Sequence, residues 1–250
     1  MYKVGIVGAG VGGSYLSYLL SKEGLENIIF DFRAPHEKLC GGGVSHKTMV
    51  RFPILHDLPC PRKMVWKSTI ISPKDRVVEV ESEKPLTIFR RRDLDYSLLK
   101  KAIEFGAHFR REKVRSFSLE EDHWRIFTED GDYRARILVG ADGVLSRTRR
   151  KLKVPSMRED CFFALECFLD VQNDFVTYKF FSDLEGYLWA FPRVDSLAVG
   201  IASRYYGREN VNDMKDKLLH FIERYYPGKT KKISLRGAYI PFFSAKSIQD

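Results

Sequence analysis

No run of about 18 apolar residues occurs in the sequence, which excludes a helix of bilayer-crossing length. Cysteine is scarce: Cys40, Cys60, Cys161 and Cys167 are the full set, and no two form a C-x-x-C pair. The six histidines complete no zinc pattern with them, so reduced thiols of a cytosolic protein are the expectation. Neither a repeat nor a low-complexity segment is seen. The first residues run straight into a strand-like stretch, so no secretory signal is expected. No RNP-like pattern accompanies the basic residues, and no nucleic-acid partner is expected.

What is present suits a globular chain. Of its 250 residues 44% are hydrophobic and 30% charged, enough for one large domain or two small ones. The net charge of +9 gathers at Arg90 to Arg92, Arg110-Arg111, Arg147 to Lys153 and Lys229 to Lys232. Such clusters suit nucleic acid, an anionic lipid surface or a phosphorylated ligand. A solvated basic surface with some ligand-phosphate contacts is the preferred reading.

The start of the chain is the most specific stretch. Tyr2 to Val7 is an apolar run that enters Gly8-Ala9-Gly10-Val11-Gly12-Gly13. Val11 to Glu23 reads as a helix, Asn27 to Phe30 as a second strand, and Asp31 follows. Strand, G-x-G-x-x-G, helix, strand and acid make the dinucleotide fingerprint. Gly8 permits the tight turn, Gly10 lets a pyrophosphate approach the backbone, and Gly13 lets the helix lie close on the strand. Asp31 is placed for a ribose hydroxyl, with Phe32 and Arg33 beside it. The fingerprint alone leaves NAD and FAD both open.

Further along, Val11, Tyr15, Leu16, Leu19 and Leu20 form the apolar stripe of the first helix, and Gly24 ends it. Cys40-Gly41-Gly42-Gly43 is a loop whose backbone a planar ligand can approach; Cys40 is either packed or reactive. Residues 53–63 read as irregular. Val65 to Ile71 and Arg76 to Val80 read as a hairpin turning at Pro73-Lys74-Asp75. A helix carries Leu94, Leu98, Leu99, Ala102 and Ile103, with Asp93 as its cap. Val114 to Leu119, His123 to Thr128 and Tyr133 to Val139 read as strands turning at Asp130-Gly131, with Ile137 to Val139 buried. Four more strands are expected at Phe162 to Leu169, Phe175 to Phe181, Tyr187 to Phe191 and Ser196 to Ile201. A helix follows from Asp213 to Tyr226, with Met214, Leu218, Phe221, Ile222 and Tyr225 inward. Ile233 to Phe243 is a last extended piece.

Three stretches together resemble the FAD-dependent oxidoreductases of the aromatic-hydroxylase type. They are the opening fingerprint, Arg91 with Leu94 and Asp95 (R-x-x-[FL]-D), and Ala141-Asp142-Gly143 with Ser146 and Arg149 (A-D-G-x-x-S-x-x-R). A narrower resemblance is to the geranylgeranyl reductase family. It rests on the C-G-G loop at Cys40 to Gly42 and on Tyr187-x-Trp189-x-Phe191-Pro192, which is similar to P-x-x-Y-x-W-x-F-P with Leu184 at the first proline.

The resemblance implies an α/β fold: a Rossmann-like FAD-binding domain with an interleaved antiparallel β-sheet substrate domain. The FAD-binding domain would comprise 1–60 and 86–155, and the substrate sheet 61–85 and 156–250. FAD would be held by Gly8, Gly10, Gly13, Asp31, Phe32, Arg33, Gly41, Gly42, Gly43, Arg91, Asp142 and Gly143. A guanidinium fork at Arg91 suits a phosphate. Cys40 is the implied catalytic residue. Tyr187, Trp189 and Phe191 share one strand face and would contact substrate, sheet core being the alternative.

The implied activity is reduction of isoprenoid double bonds by hydride from FAD, itself reduced by an external electron donor, with peripheral contact to anionic membrane. An aromatic monooxygenase or halogenase is the alternative, although no W-x-W-x-I-P motif is seen. A third reading is a non-catalytic module. The superfamily's third motif, a Gly-Asp pair beyond the substrate sheet, is not found; the Gly131-Asp132 pair lies in a hairpin. With the last residue at Asp250, the expectation is a chain either naturally short or cut before that motif.

Overall fold

The computed structural model describes residues 1–152 and 161–241. In chain order the first half holds β1 (Tyr2–Val7), α1 (Val11–Lys22), β2 (Asn27–Phe30), β3 (Gly43–Val44), α2 (His46–Arg51), α3 (Ile54–Asp57), β4 (Arg62–Ile71), β5 (Val77–Phe89) and α4 (Arg91–Glu104). There follow β6 (His108–Arg110), β7 (Ser116–Leu119), β8 (Trp124–Phe127), β9 (Asp132–Gly140) and α5 (Arg147–Lys151). The remainder is β10 (Cys161–Leu169), β11 (Phe175–Phe180), β12 (Gly186–Pro192), β13 (Leu197–Arg204), α6 (Arg208–Tyr225) and β14 (Arg236–Pro241). Phe242, Phe243 and Lys153, which belonged to expected features, lie outside the described residues.

The chain forms two compact units. One takes residues 1–37, 58–60 and the described residues from 92 to 152; the other takes 38–57, 61–91 and 161–241. These bounds differ from the domains expected from sequence: 38–57 and 86–91 join the second unit, because β3 pairs with β5.

The first unit is built on a six-stranded sheet in the order β6-β2-β1-β9-β8-β7. Its centre is parallel, β2 and β9 flanking β1, and reads as near-continuous apolar runs, as strands buried on both faces do. Ile6, Ile28, Ile29 and Phe30 are fully buried. Helix α1 does not bury its leucine stripe. Its buried residues are Gly13, Ser14 and Ser17, while Val11 and Leu19 are exposed. The reason is proximity: small side chains let the helix lie close, and their hydroxyls are satisfied inside. Ser14 Oγ donates to the Ala9 carbonyl (3.0 Å) and Ser17 Oγ to Asn27 Oδ1 (2.6 Å). Leu16 and Leu20 remain partly buried against the cluster of Val4, Ile6, Ile29 and Leu99.

Three other expectations about this unit change. Helix α4 begins at Arg91, so Asp93 lies in its first turn rather than at its cap; there the acid still complements the helix dipole. Ile103 is exposed on α4, whose buried side is Leu94, Leu98, Leu99 and Ala102. Ile137 is 57% exposed, because α1 packs mainly on β1 and β2 and leaves that part of β9 uncovered.

The second unit is an eight-stranded sheet in the order β14-β10-β13-β12-β11-β4-β5-β3. It is antiparallel except that β11 runs parallel to β4, Phe175 to Lys179 pairing with Lys67 to Ile71. Helix α6 covers one face with Met214, Leu218, Phe221 and Ile222 over Leu165, Val199 and Ile201. Tyr225, expected inward, is exposed at the helix end and lies tilted against Phe221, ring centroids 4.7 Å apart. The supposedly irregular stretch holds α3, and α2 precedes it, capped by Ser45 Oγ accepting from Thr48 N–H.

Candidate functional site

In the first unit two tight turns meet at the ends of β1 and β9. Gly8 has φ +106°, and a Cβ there would lie 2.4 Å from the Ala141 carbonyl oxygen. Ala141 N–H donates in turn to the Val7 carbonyl (2.8 Å). A Cβ on Gly13 would lie 1.9 Å from the Gly8 oxygen. The fold therefore requires both glycines. It does not require the two between them. A Cβ on Gly12 would meet no atom within 4 Å, and one on Gly10 only Asp95 Oδ2 at 3.9 Å. Gly10 caps α1 without a side-chain hydrogen bond, and no acidic residue occupies the first turn. The result is an open cradle of backbone N–H groups at a helix N-terminus, the chemistry that receives a phosphate.

Asp31 faces this turn. Its Oδ2 accepts from Ala9 N–H (3.0 Å) and its Oδ1 from Arg33 N–H (2.9 Å). An ionised carboxylate offers about four acceptor positions, so two remain for a hydroxyl. Phe32 is exposed, with Arg33 and Lys113 over its ring at 5.4 and 5.1 Å.

Asp142 spends its carboxylate on its own turn. Oδ1 accepts from Ser146 Oγ (2.5 Å); Oδ2 accepts from Arg147 N–H (2.7 Å) and Thr148 N–H (3.1 Å). Ser146 Oγ accepts from Arg149 N–H (2.9 Å). These bonds cap α5 and fix the conformation of Gly143, which has φ +81° and open space around it. Arg91, half-buried at the start of α4, is the last residue of the second unit before the chain enters the first.

In the second unit the Cys40 loop lies on the aromatic strip. A Cβ on Gly41 would be 2.6 Å from Phe191 and 3.1 Å from Trp189; one on Gly43 would be 2.9 Å from Phe191. Gly42, with φ +82°, presses on the Phe89 carbonyl. From β13, Gly200 leaves room for the Trp189 ring, which a Cβ there would meet at 2.3 Å. Trp189 and Phe191 are thus buried, packed with Val65, Ile88, Ala164, Val176 and Ala202. Of the three strip residues Tyr187 alone is substantially open, at 39%, beside Tyr178 and Phe180 at centroid distances of 6.2 and 6.1 Å. Burial first, then the negative charge a Cys40 thiolate would carry, pushes the Tyr187 phenol above its ordinary value.

Two residues of this arrangement escaped the sequence reading. Glu166, fully buried on β10, accepts from Cys40 N–H on Oε2 (3.0 Å) and from Trp189 Nε1–H on Oε1 (3.3 Å). Arg193, 3% exposed, donates through Nη2 to the Cys40 carbonyl (3.0 Å), its guanidinium 4.3 Å from the Phe168 centroid. A lone acid within Phe162-Phe163-Ala164-Leu165-Glu166-Cys167-Phe168-Leu169 was the available signal, since an unpaired charge is not buried. Cys40 is the half-buried cysteine; Cys60, Cys161 and Cys167 are buried. Burial, then the Glu166 charge, pushes the Cys167 thiol up to about 12. No helix of the described residues is long and apolar enough to cross a membrane.

A sheet with a parallel centre whose first strand turns through glycines into a helix, with an acid after the second strand, defines a Rossmann-type dinucleotide-binding fold. The chain belongs to the FAD binding domain family, which matches residues 1–179, and its cofactor is FAD.

Among curated relatives, an uncharacterized protein of Methanosarcina barkeri is 29% identical over 97% of this chain and 63% of its own. A digeranylgeranylglycerophospholipid reductase of Methanosphaerula palustris is 26% identical over 100% of this chain and 67% of its own. Among solved structures, a geranylgeranyl bacteriochlorophyll reductase-like protein of Thermoplasma acidophilum matches with TM-score 0.80 and 24% identity over 96% of this chain and 66% of that one. Halogenase PltM, in complex with phloroglucinol and FAD, matches with TM-score 0.73 and 18% identity over 96% of this chain and 60% of that one. The chain spans less than two thirds of the Methanosarcina relative. The two structural likenesses establish the fold.

Proposed function

We propose that this chain acts in the FAD-dependent reduction of the double bonds of an isoprenoid chain. The observation that carries the reading is the seating of Cys40 to Gly43 on Trp189 and Phe191, with Tyr187 left open beside them. The sequence likeness to a digeranylgeranylglycerophospholipid reductase supports it.

The open glycine turn fits the cofactor: among the described residues a Cβ on Gly12 would meet nothing within 4 Å, and one on Gly10 only Asp95 Oδ2 at 3.9 Å. Gly8, Gly10, Gly13 and the α1 N-terminus would hold the pyrophosphate and Asp31 a ribose hydroxyl, with Phe32 and Arg33 flanking. Asp142 shapes the turn that presents Gly143, and Arg91 would meet phosphate or ribose. Gly43, exposed, would let a planar ring approach the backbone, whereas Gly41 and Gly42 are buried against Phe191, Trp189 and Phe89 and would shape the loop. FAD, when bound and reduced by an external donor, supplies the hydride. Tyr187, with Phe180 and Tyr178 around it, offers apolar surface to the isoprenoid and excludes water. Cys40 Sγ holds the proton that completes the saturated bond. The basic surface suits contact with anionic membrane, where a lipid substrate resides.

The test begins with flavin uptake: the purified protein should retain FAD, seen by absorbance. After anaerobic reduction of the flavin, a geranylgeranyl lipid should gain about 2 Da per double bond reduced. Flavin uptake followed by oxygen consumption on an aromatic substrate would favour the second reading, an oxygen-activating enzyme, which the likeness to halogenase PltM supports. Failure to take up added FAD would leave a non-catalytic module.

A further inference from the structure

Cys40 is gripped at both ends of its own residue. Its N–H donates to the fully buried carboxylate of Glu166, and its carbonyl accepts from the buried guanidinium of Arg193. These are the two chemistries a peptide offers, each met by the charged partner that binds it most strongly. The carboxylate also takes the indole N–H of Trp189 on its second oxygen. One side chain therefore ties the cysteine loop and the aromatic strip to the same atom group. Gly42 N–H adds a contact to Cys40 Sγ (3.4 Å), so the position of the sulfur follows from the backbone that the two charges hold. A surface turn needs no such support. A carboxylate and a guanidinium withdrawn from water are costly unless their hydrogen bonds are made, so the fold commits two buried charges to placing this loop.

We infer that Glu166 and Arg193 are positioning residues that hold the Cys40 thiol and the Trp189 ring as one rigid piece, with Glu166 as the shared joint. The inference rests on the reductase reading for its purpose, but not for its test. Both act through Cys40 and Trp189 rather than on substrate. The geometry predicts an effect that depends on acceptor chemistry rather than on size. Cys40 N–H and Trp189 Nε1–H both donate to Glu166, whereas a glutamine would offer them one acceptor and one donor group. In Glu166→Gln one of the two bonds must fail, whichever way the amide turns. In Arg193→Lys the planar fork over Phe168 is lost while the charge remains.

The experiment measures alkylation of Cys40 by iodoacetamide across pH, without flavin or substrate. Peptide mass mapping assigns the label, and circular dichroism confirms folding. Glu166→Gln should raise the native-state rate at Cys40 about tenfold or more, since loss of a hydrogen bond to a charged group opens the loop. Arg193→Lys should raise it in the same direction, and Trp189→Phe, which removes the indole donor together with part of the ring over Gly200, by a smaller factor. A merely structural role would lower Tm and leave the Cys40 rate unchanged below the unfolding transition. Unchanged rates in folded Glu166→Gln and Arg193→Lys overturn the inference. Should neither variant fold, hydrogen exchange of the wild-type segment 38–43 decides it. Protection of the Cys40 amide comparable to that of the sheet strands supports the clamp, and free-loop exchange overturns it. A wild-type protein that fails to reduce isoprenoids would remove the reductase reading and leave these readouts standing.

Discussion

The carbonyl oxygen of Gly8 occupies the space, 1.9 Å away, where a Cβ on Gly13 would stand. Helix α1 is therefore pressed directly against the turn that starts it, and the two glycines constrain each other. Gly10, between them, has extended backbone that any residue adopts (φ −73°, ψ −174°) and free space over it.

The contrast predicts opposite phenotypes. Gly13→Ala should lower Tm by roughly 5–10 °C through overpacking against backbone. Gly10→Val should leave Tm nearly unchanged and abolish FAD binding, because its methyls fill the cradle. Thermal melts and flavin titration read the two effects separately. Stoichiometric FAD in Gly10→Val would refute the assignment of the cradle.

Trp189 and Tyr187 should separate in the same way. Trp189→Ala removes a ring packed on Gly200 and on the cysteine loop, and a cost of about 3–5 kcal/mol is expected. Tyr187 is partly open, so Tyr187→Ala should cost about 1 kcal/mol and reduce turnover of a long isoprenoid more than it reduces the rate of flavin reduction. Equal loss of both rates in Tyr187→Ala would argue for a packing role.

Native thiol labelling at about pH 8 should modify Cys40 and spare the rest. Cys167, with its thiol pushed up to about 12, stays protonated and unreactive there. Cys60 and Cys161 are protected by burial. Labelling of Cys167 at a rate like that of Cys40, in folded protein, would contradict the packing of β10.

Acid should loosen the β4–β5 turn. Lys179 above all, then Arg224, holds the Asp75 carboxyl below its ordinary value. A group whose folded value is depressed contributes stability above its unfolded value, about 3.9, and loses it as pH falls through the folded one. The Tm difference between wild type and Asp75→Asn should therefore be present at about pH 6 and close as pH drops below about 4. The difference will be small, since exposed pairs are screened. A gap that is the same at both ends of a pH series of melts would show that Asp75 acts through turn geometry instead.

The opening turn was legible because its signals are local: glycines at fixed offsets, a short apolar run on either side of the helix, an acid at the end of the second strand. The inward side of α1 was not, because hydrophobic periodicity points to Leu19 whereas close approach selects Gly13, Ser14 and Ser17. Likewise Glu166 and Arg193 meet Cys40 across 126 and 153 residues of sequence. Such partners are set by strand order, which local pattern does not encode. The pairing of β11 with β4 escaped for the same reason.

That pairing also has a consequence in time. On the ribosome, β4 and β5 emerge and close their hairpin long before Phe175 exists. At roughly 5–20 residues per second, the stretch from Ile71 to Phe175 takes on the order of 5–20 s to make. Throughout that interval one edge of β4 carries unsatisfied backbone groups, open to any other strand that passes. Asp75, Lys179 and Arg224 join the hairpin tip to β11 and α6, so this ion cluster forms only once that wait has ended. Slow or interrupted synthesis within residues 72–174 should be the stage at which nascent chains are most prone to aggregate.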